Sequence, residues 1–113
     1  MSVDNHTLVY IAGPLNNGGL GSYEANLAVA SALAERLRAK GYDVFCPHTA
    51  FAALRGYADE PDVLDLCLDV LCALDKDRSV LCVMPEWETS KGAIAERAVA
   101  QSYGIRLVTE DEL

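Results

Sequence analysis

The chain has 113 residues, with 51% hydrophobic and 23% charged side chains. This excludes a disordered or collagen-like chain and fits one domain over 1–113, long enough to bury roughly two-thirds of its unfolded surface without disulfide or metal staples. Nine basic against seventeen acidic residues give a net charge of −8, which argues against a nucleic-acid polymer or an anionic membrane as main partner. No apolar run approaches the ~18 residues of a membrane span, and Met1 to Thr7 is too short and polar for a signal peptide, so a cytoplasmic location is expected. Cys46, Cys67, Cys72 and Cys82 lie in apolar stretches without C-x-x-C spacing and read as free thiols.

Leu8 to Ala12 is a short run rich in β-formers, closed by Gly13-Pro14, and predicts a strand. Leu15 to Gly21 reads as a glycine- and asparagine-bearing loop. From Ser22 to Lys40 the residues Leu27, Ala30, Leu33, Ala34 and Leu37 recur at helical spacing, with Gly41 as a left-handed cap. Tyr42 to Cys46 predicts a second strand, and Pro47 to Glu60 shows no clear periodicity. A helix opens at Pro61 and runs to about Lys76, followed by a strand from Ser79 to Met84. Ser90 to Tyr103 predicts a third helix capped by Gly104, and Ile105 to Val108 a fourth strand. This alternation predicts an α/β, Rossmann-like (flavodoxin-like) three-layer sandwich with a parallel sheet of four or five strands. Ligands of such sheets gather at the carboxyl ends of the strands where strand order reverses, so chemistry is expected in the loops after each strand.

Glu96 is the most informative residue there. On a helical wheel it lies about 120° from the polar arc of Ser90, Arg97 and Gln101, among Ala93, Val99, Ala100 and Tyr103. A carboxylate on a small, apolar face is either functional or an edge residue snorkelling to water or to an arginine. Ser90 and Thr89 are alternative N-caps, and the amides of Lys91, Gly92 and Ala93 behind the cap suit an anion. Asp62, Asp65 and Asp69 form one stripe of the second long helix, read as a solvated acidic face. The remaining faces are unusually apolar, which suggests packing against another subunit. Trp87 can stack on a planar ring or cover the sheet edge, and His48 can donate to a ligand or be structural. The first loop matches neither dinucleotide nor P-loop patterns.

Val9-Tyr10-Ile11-Ala12-Gly13-Pro14, Asn26, Gly41 to Phe45, Pro47-His48-Thr49, Met84 to Ala93 and Glu96 form a series that spans nearly the whole chain. It resembles the nucleoside 2-deoxyribosyltransferase-like superfamily, in particular a small branch with a P-x-W-x-x-S-K-G-A-x-x-E signature. The resemblance implies cleavage or exchange of the N-glycosidic bond, with Glu96 as nucleophile, Asp69 assisting with the proton or the sugar, and Tyr10 beside the nucleophile. A carboxylate nucleophile splits one hard displacement into two easier ones through an oxocarbenium-like transition state. Serine at position 90, where transferases of free nucleosides carry aspartate, implies a nucleoside 5′-monophosphate substrate with water as acceptor, since aspartate would repel a phosphate. Gly13, Asn16, Asn26, His48, Trp87, Ser90 and Gly92 are the expected substrate contacts. No metal or organic cofactor is expected, and a homodimer or larger homo-oligomer is. Base exchange and non-catalytic nucleotide sensing are the alternative functions.

Overall fold

The computed structural model describes residues 7–14, 22–54 and 60–113, with only the backbone of residue 60. Four strands, β1 (Leu8–Ala12), β2 (Asp43–Phe45), β3 (Ser79–Val83) and β4 (Arg106–Val108), form one parallel sheet in the order β2-β1-β3-β4. Leu8 is in register with Asp43 on one side and Ser79 on the other, and Val80 with Arg106 beyond. The chain leaves β1 outward to β2, then crosses back to β3. Strand order therefore reverses between β1 and β3, where the loops after Ala12 and Val83 meet.

Alternation along β1 divides the core. Val9 and Ile11, with Val80, Cys82 and Val108, pack beneath helix α1 (Tyr23–Ala39) through Ala30, Leu33, Ala34 and Leu37. Tyr10 and Ala12, with Leu81 and Val83, face helices α3 (Glu60–Ala73) and α4 (Lys91–Ser102) through Cys67, Leu71 and Ala100. One helix on one face and two on the other make the expected three layers.

The helix ends follow local chemistry. Ser22 Oγ accepts from Ala25 N at 3.1 Å and starts α1. At its other end Gly41 takes φ 96° and its amide bonds the Arg38 carbonyl, while the Tyr42 amide bonds the Leu37 carbonyl. Gly104, at φ 76°, repeats the pattern after α4, with Gly104 bonded to Gln101 and Ile105 to Ala100. Both are Schellman motifs, each with its apolar pair, Leu37 with Tyr42 and Ala100 with Ile105, in one core cluster.

Two stretches depart from the sequence reading. The segment after β2 is not wholly irregular: Pro47–Ala50 forms one α-helical turn, α2, and Ala52–Leu54 a 3₁₀ turn. Pro47 opens the turn because its missing N–H is not needed there. Helix α3 stops at Ala73 rather than near Lys76, because the Asp75 carboxylate accepts the Asp77 amide at 2.9 Å and turns the chain toward β3. The sheet has four strands among the described residues, the lower of the two numbers expected.

Candidate functional site

Helix α4 lies close over the sheet because it meets it through Ala93 and Ala100, both at most 1% exposed. Glu96 shares that face and is only 6% exposed. Helical side chains lean toward the helix N-terminus, which here sits at the carboxyl end of β3, so Glu96 leans toward the end of the sheet where ligands of this architecture bind. Its Oε2 accepts a hydrogen bond from the hydroxyl of fully buried Tyr10 on central strand β1. The backbone carbonyl of Cys67 on α3 lies 3.5 Å from the same hydroxyl. Three elements, β1, α3 and α4, thus converge on one phenol oxygen.

Burial dominates the electrostatics of this cluster. It pushes the Glu96 carboxyl from an ordinary 4.5 up to about 7, against the opposing effect of the Tyr10 hydrogen bond. No ammonium or guanidinium among the described residues contributes to holding the charge. Burial, and then the charge of Glu96, drive the Tyr10 phenol far above its usual range, so it stays a donor at any physiological pH. The same two causes raise the Cys67 thiol to about 11. Glu96 is therefore neither a snorkelling edge residue nor an arginine's partner.

The start of α4 resolves the choice of cap. Ser90 Oγ accepts from Ala93 N at 3.1 Å, whereas the Thr89 hydroxyl donates to the Glu86 carbonyl at 2.7 Å. The amides of Lys91 and Gly92 precede any carbonyl the helix could offer them. A Cβ on Gly92 would meet Leu64 Cδ1 and Ser90 Oγ at 3.8 Å, an ordinary contact, so packing does not demand glycine there. Gly13 is the opposite case. A Cβ on it would lie 2.5 Å from Met84 Cβ and Sδ, so glycine is what lets the ends of β1 and β3 pass each other.

Beyond β3 the chain turns at Glu86, whose φ of 62° is left-handed and unusual for a residue with a side chain. The turn delivers Trp87, half-buried, against the cluster that contains Tyr10. Trp87 also borders a cleft of about 400 Å³ on the α1 side, between Val29, Leu33, Met84 and Glu110. It stands at the switch point and covers the edge of the core at once.

The other expected contacts are scattered. His48, 4% exposed, has Nε2 2.8 Å from the Pro14 carbonyl. A carbonyl can only accept, so Nε2 carries the proton and ties the end of β2 to the loop after β1. His48 Nδ1 is buried without a partner among the described residues, and burial lowers the pKa of the ring. Asn26 is buried in the first turns of α1. Asn16 lies outside the described residues. Asp69 is exposed, and the chain does not bring it to Glu96: it stands about 200° around α3 from inward-facing Cys67. The acidic stripe of Asp62, Asp65 and Asp69 is the solvated face its pattern suggested.

Cys67 is the participant that sequence reasoning missed, because it acts through its backbone carbonyl, which no residue type advertises. Among the described residues no group of three His, Cys, Asp or Glu side chains could hold a metal ion, and no helix is long and apolar enough to cross a membrane. No curated protein and no solved structure matches the chain. Residues 7–109 match the family described as a domain of unknown function, DUF4406, and the chain belongs to that family.

Proposed function

We propose that this protein is an N-glycosidase that hydrolyses the base–sugar bond of a nucleoside 5′-monophosphate, ribo or deoxy, with Glu96 as nucleophile. The observation that carries the reading is a desolvated carboxylate that has no counter-charge among the described residues and accepts from the neutral Tyr10 hydroxyl at the switch point of the sheet. Such a group is poorly stabilised while the substrate is neutral at its sugar. It gains its counter-charge only as the anomeric carbon becomes cationic, and interactions stronger in the transition state than before it are the ones that accelerate a reaction.

In this reading Tyr10 occupies Oε2 and leaves Oε1 for the sugar. Oε1 bonds to the anomeric carbon as the bond to the base breaks, and the base leaves with the electron pair and takes a proton from water. Water then cleaves the glycosyl ester, which returns the carboxylate and releases the sugar phosphate. Ser90 and the amides of Lys91 and Gly92 hold the phosphate. They precede Glu96 by four to six residues, roughly 6–9 Å along the axis, a span suited to a phosphate at one end of a nucleotide and an attacked carbon near its middle. Trp87 stacks on the base. Asp69, exposed as it is, carries no step.

The test is chromatographic. Nucleoside 5′-monophosphates incubated with the protein above pH 7 release free base and sugar phosphate, and Glu96→Ala reduces that release by about 10³-fold or more. Undiminished release by Glu96→Ala overturns the assignment. A new nucleotide formed on adding a second free base identifies transfer instead of hydrolysis, and tight nucleotide binding without base release identifies a sensing module.

A further inference from the structure

Of the large apolar side chains exposed among the described residues, Leu66 (42%) stands on α3, Ile94 (47%) on α4 and Tyr103 (52%) at the C-cap of α4, and the fourth, Leu107, is on β4, the strand next to α4 in sequence. The two helices run the same way, both being returns between parallel strands. They are also level with one another: Gly92 faces Leu64 near their beginnings, and the side chains of Tyr103 and Cys72 are neighbours near their ends. Height along α3 therefore maps onto α4 by adding about 29 to the residue number, a relation that rests on these two contacts and on the common rise of 1.5 Å per residue.

The charges on this surface are sorted by helix. Every charged residue of α3 is acidic, with Asp62, Asp65 and Asp69 exposed, while the exposed charges of α4 are Lys91 and Arg97. A surface with one negative and one positive stripe around apolar side chains is complementary to itself. We propose that this face binds a second copy of the chain, about a two-fold axis parallel to the helices.

The direction of the axis follows from the charges. An axis across the helices would lay α3 on the partner's α3, acid against acid. An axis along them lays α3 on the partner's α4 and keeps each residue at its own height. Asp62 then meets Lys91 of the partner subunit, Leu66 meets Ile94 of the partner subunit, and Asp69 meets Arg97 of the partner subunit. Each contact occurs twice, which gives an apolar centre flanked by ion pairs, the anatomy of a specific interface. The proposal does not depend on what Glu96 does.

The full chain, followed by light scattering over a dilution series, should show twice its 12.2 kDa mass and dissociate on dilution. Asp62→Lys and Lys91→Asp each oppose like charges at two symmetric places and should each weaken association about tenfold or more. The double variant Asp62→Lys/Lys91→Asp restores complementarity and should recover the wild-type dissociation constant. Both positions are exposed, and circular dichroism confirms that the variants fold. A wild-type chain that is monomeric at every concentration, a dimer that neither single variant weakens, or a double variant as weak as the singles would each overturn the proposal.

Discussion

Replacing Glu96 by Gln keeps the shape of the protonated side chain and removes its titration, so it isolates the energy of burying this charge. In the folded chain the carboxyl ionises near 7, against 4.5 ordinarily. Between those values the folded protein holds a proton that the unfolded chain has released, so stability falls as pH rises. The stabilisation from this group is complete below 4.5 and is lost as pH rises through 7. A displacement of that size corresponds to about 3 kcal/mol. No discount for solvent screening applies, because Glu96 is 6% exposed. Urea denaturation at pH 4.5 and pH 8.5 measures it. Wild type should lose about 3 kcal/mol relative to Glu96→Gln between the two, and the comparison cancels the other titrating groups. Near pH 4.5 the two proteins should be close in stability. A wild-type-minus-variant difference that is the same at both pH values, or that moves in wild type's favour as pH rises, would refute a buried, uncompensated carboxylate.

Two further substitutions probe the same region. Tyr10→Phe removes the hydrogen bond that opposes the rise in the Glu96 pKa, so the alkaline onset of base release should move to higher pH and the plateau rate should fall, as a pH–rate profile would show. Gly13→Ala forces a Cβ against Met84 and should destabilise by about 1–3 kcal/mol, whereas Gly92→Ala meets only ordinary contacts and should leave stability unchanged or improve it by up to about 1 kcal/mol. Urea midpoints decide both, and loss of base release in a stable Gly92→Ala would locate the phosphate at that amide.

What the sequence disclosed was set by short-range chemistry. Gly41 and Gly104 announced their helix ends because a left-handed backbone favours glycine whatever the tertiary context. The inward face of α4 was legible because Ala93, Glu96 and Ala100 recur at the helical period. The partner of Glu96 was not legible from residues alone, since Tyr10 lies 86 positions away and only the order β2-β1-β3-β4 places it below α4. Asp69 shows the limit from the other direction: its spacing places it on one stripe with Asp62 and Asp65, and the resemblance implies a place at the site, but the chain turns that stripe outward. The turn Pro47–Ala50 escaped because four residues are too few to display a period.

The sheet's two outer strands bear on how this molecule stays separate from its neighbours. Both β2 and β4 are only three residues long, and each carries an ionic side chain, Asp43 on one and Arg106 on the other. A foreign strand aligning beside either would gain a very short ladder and crowd a charge, which is how natural proteins discourage fibril-like growth. Lateral extension of the sheet is thereby made unrewarding.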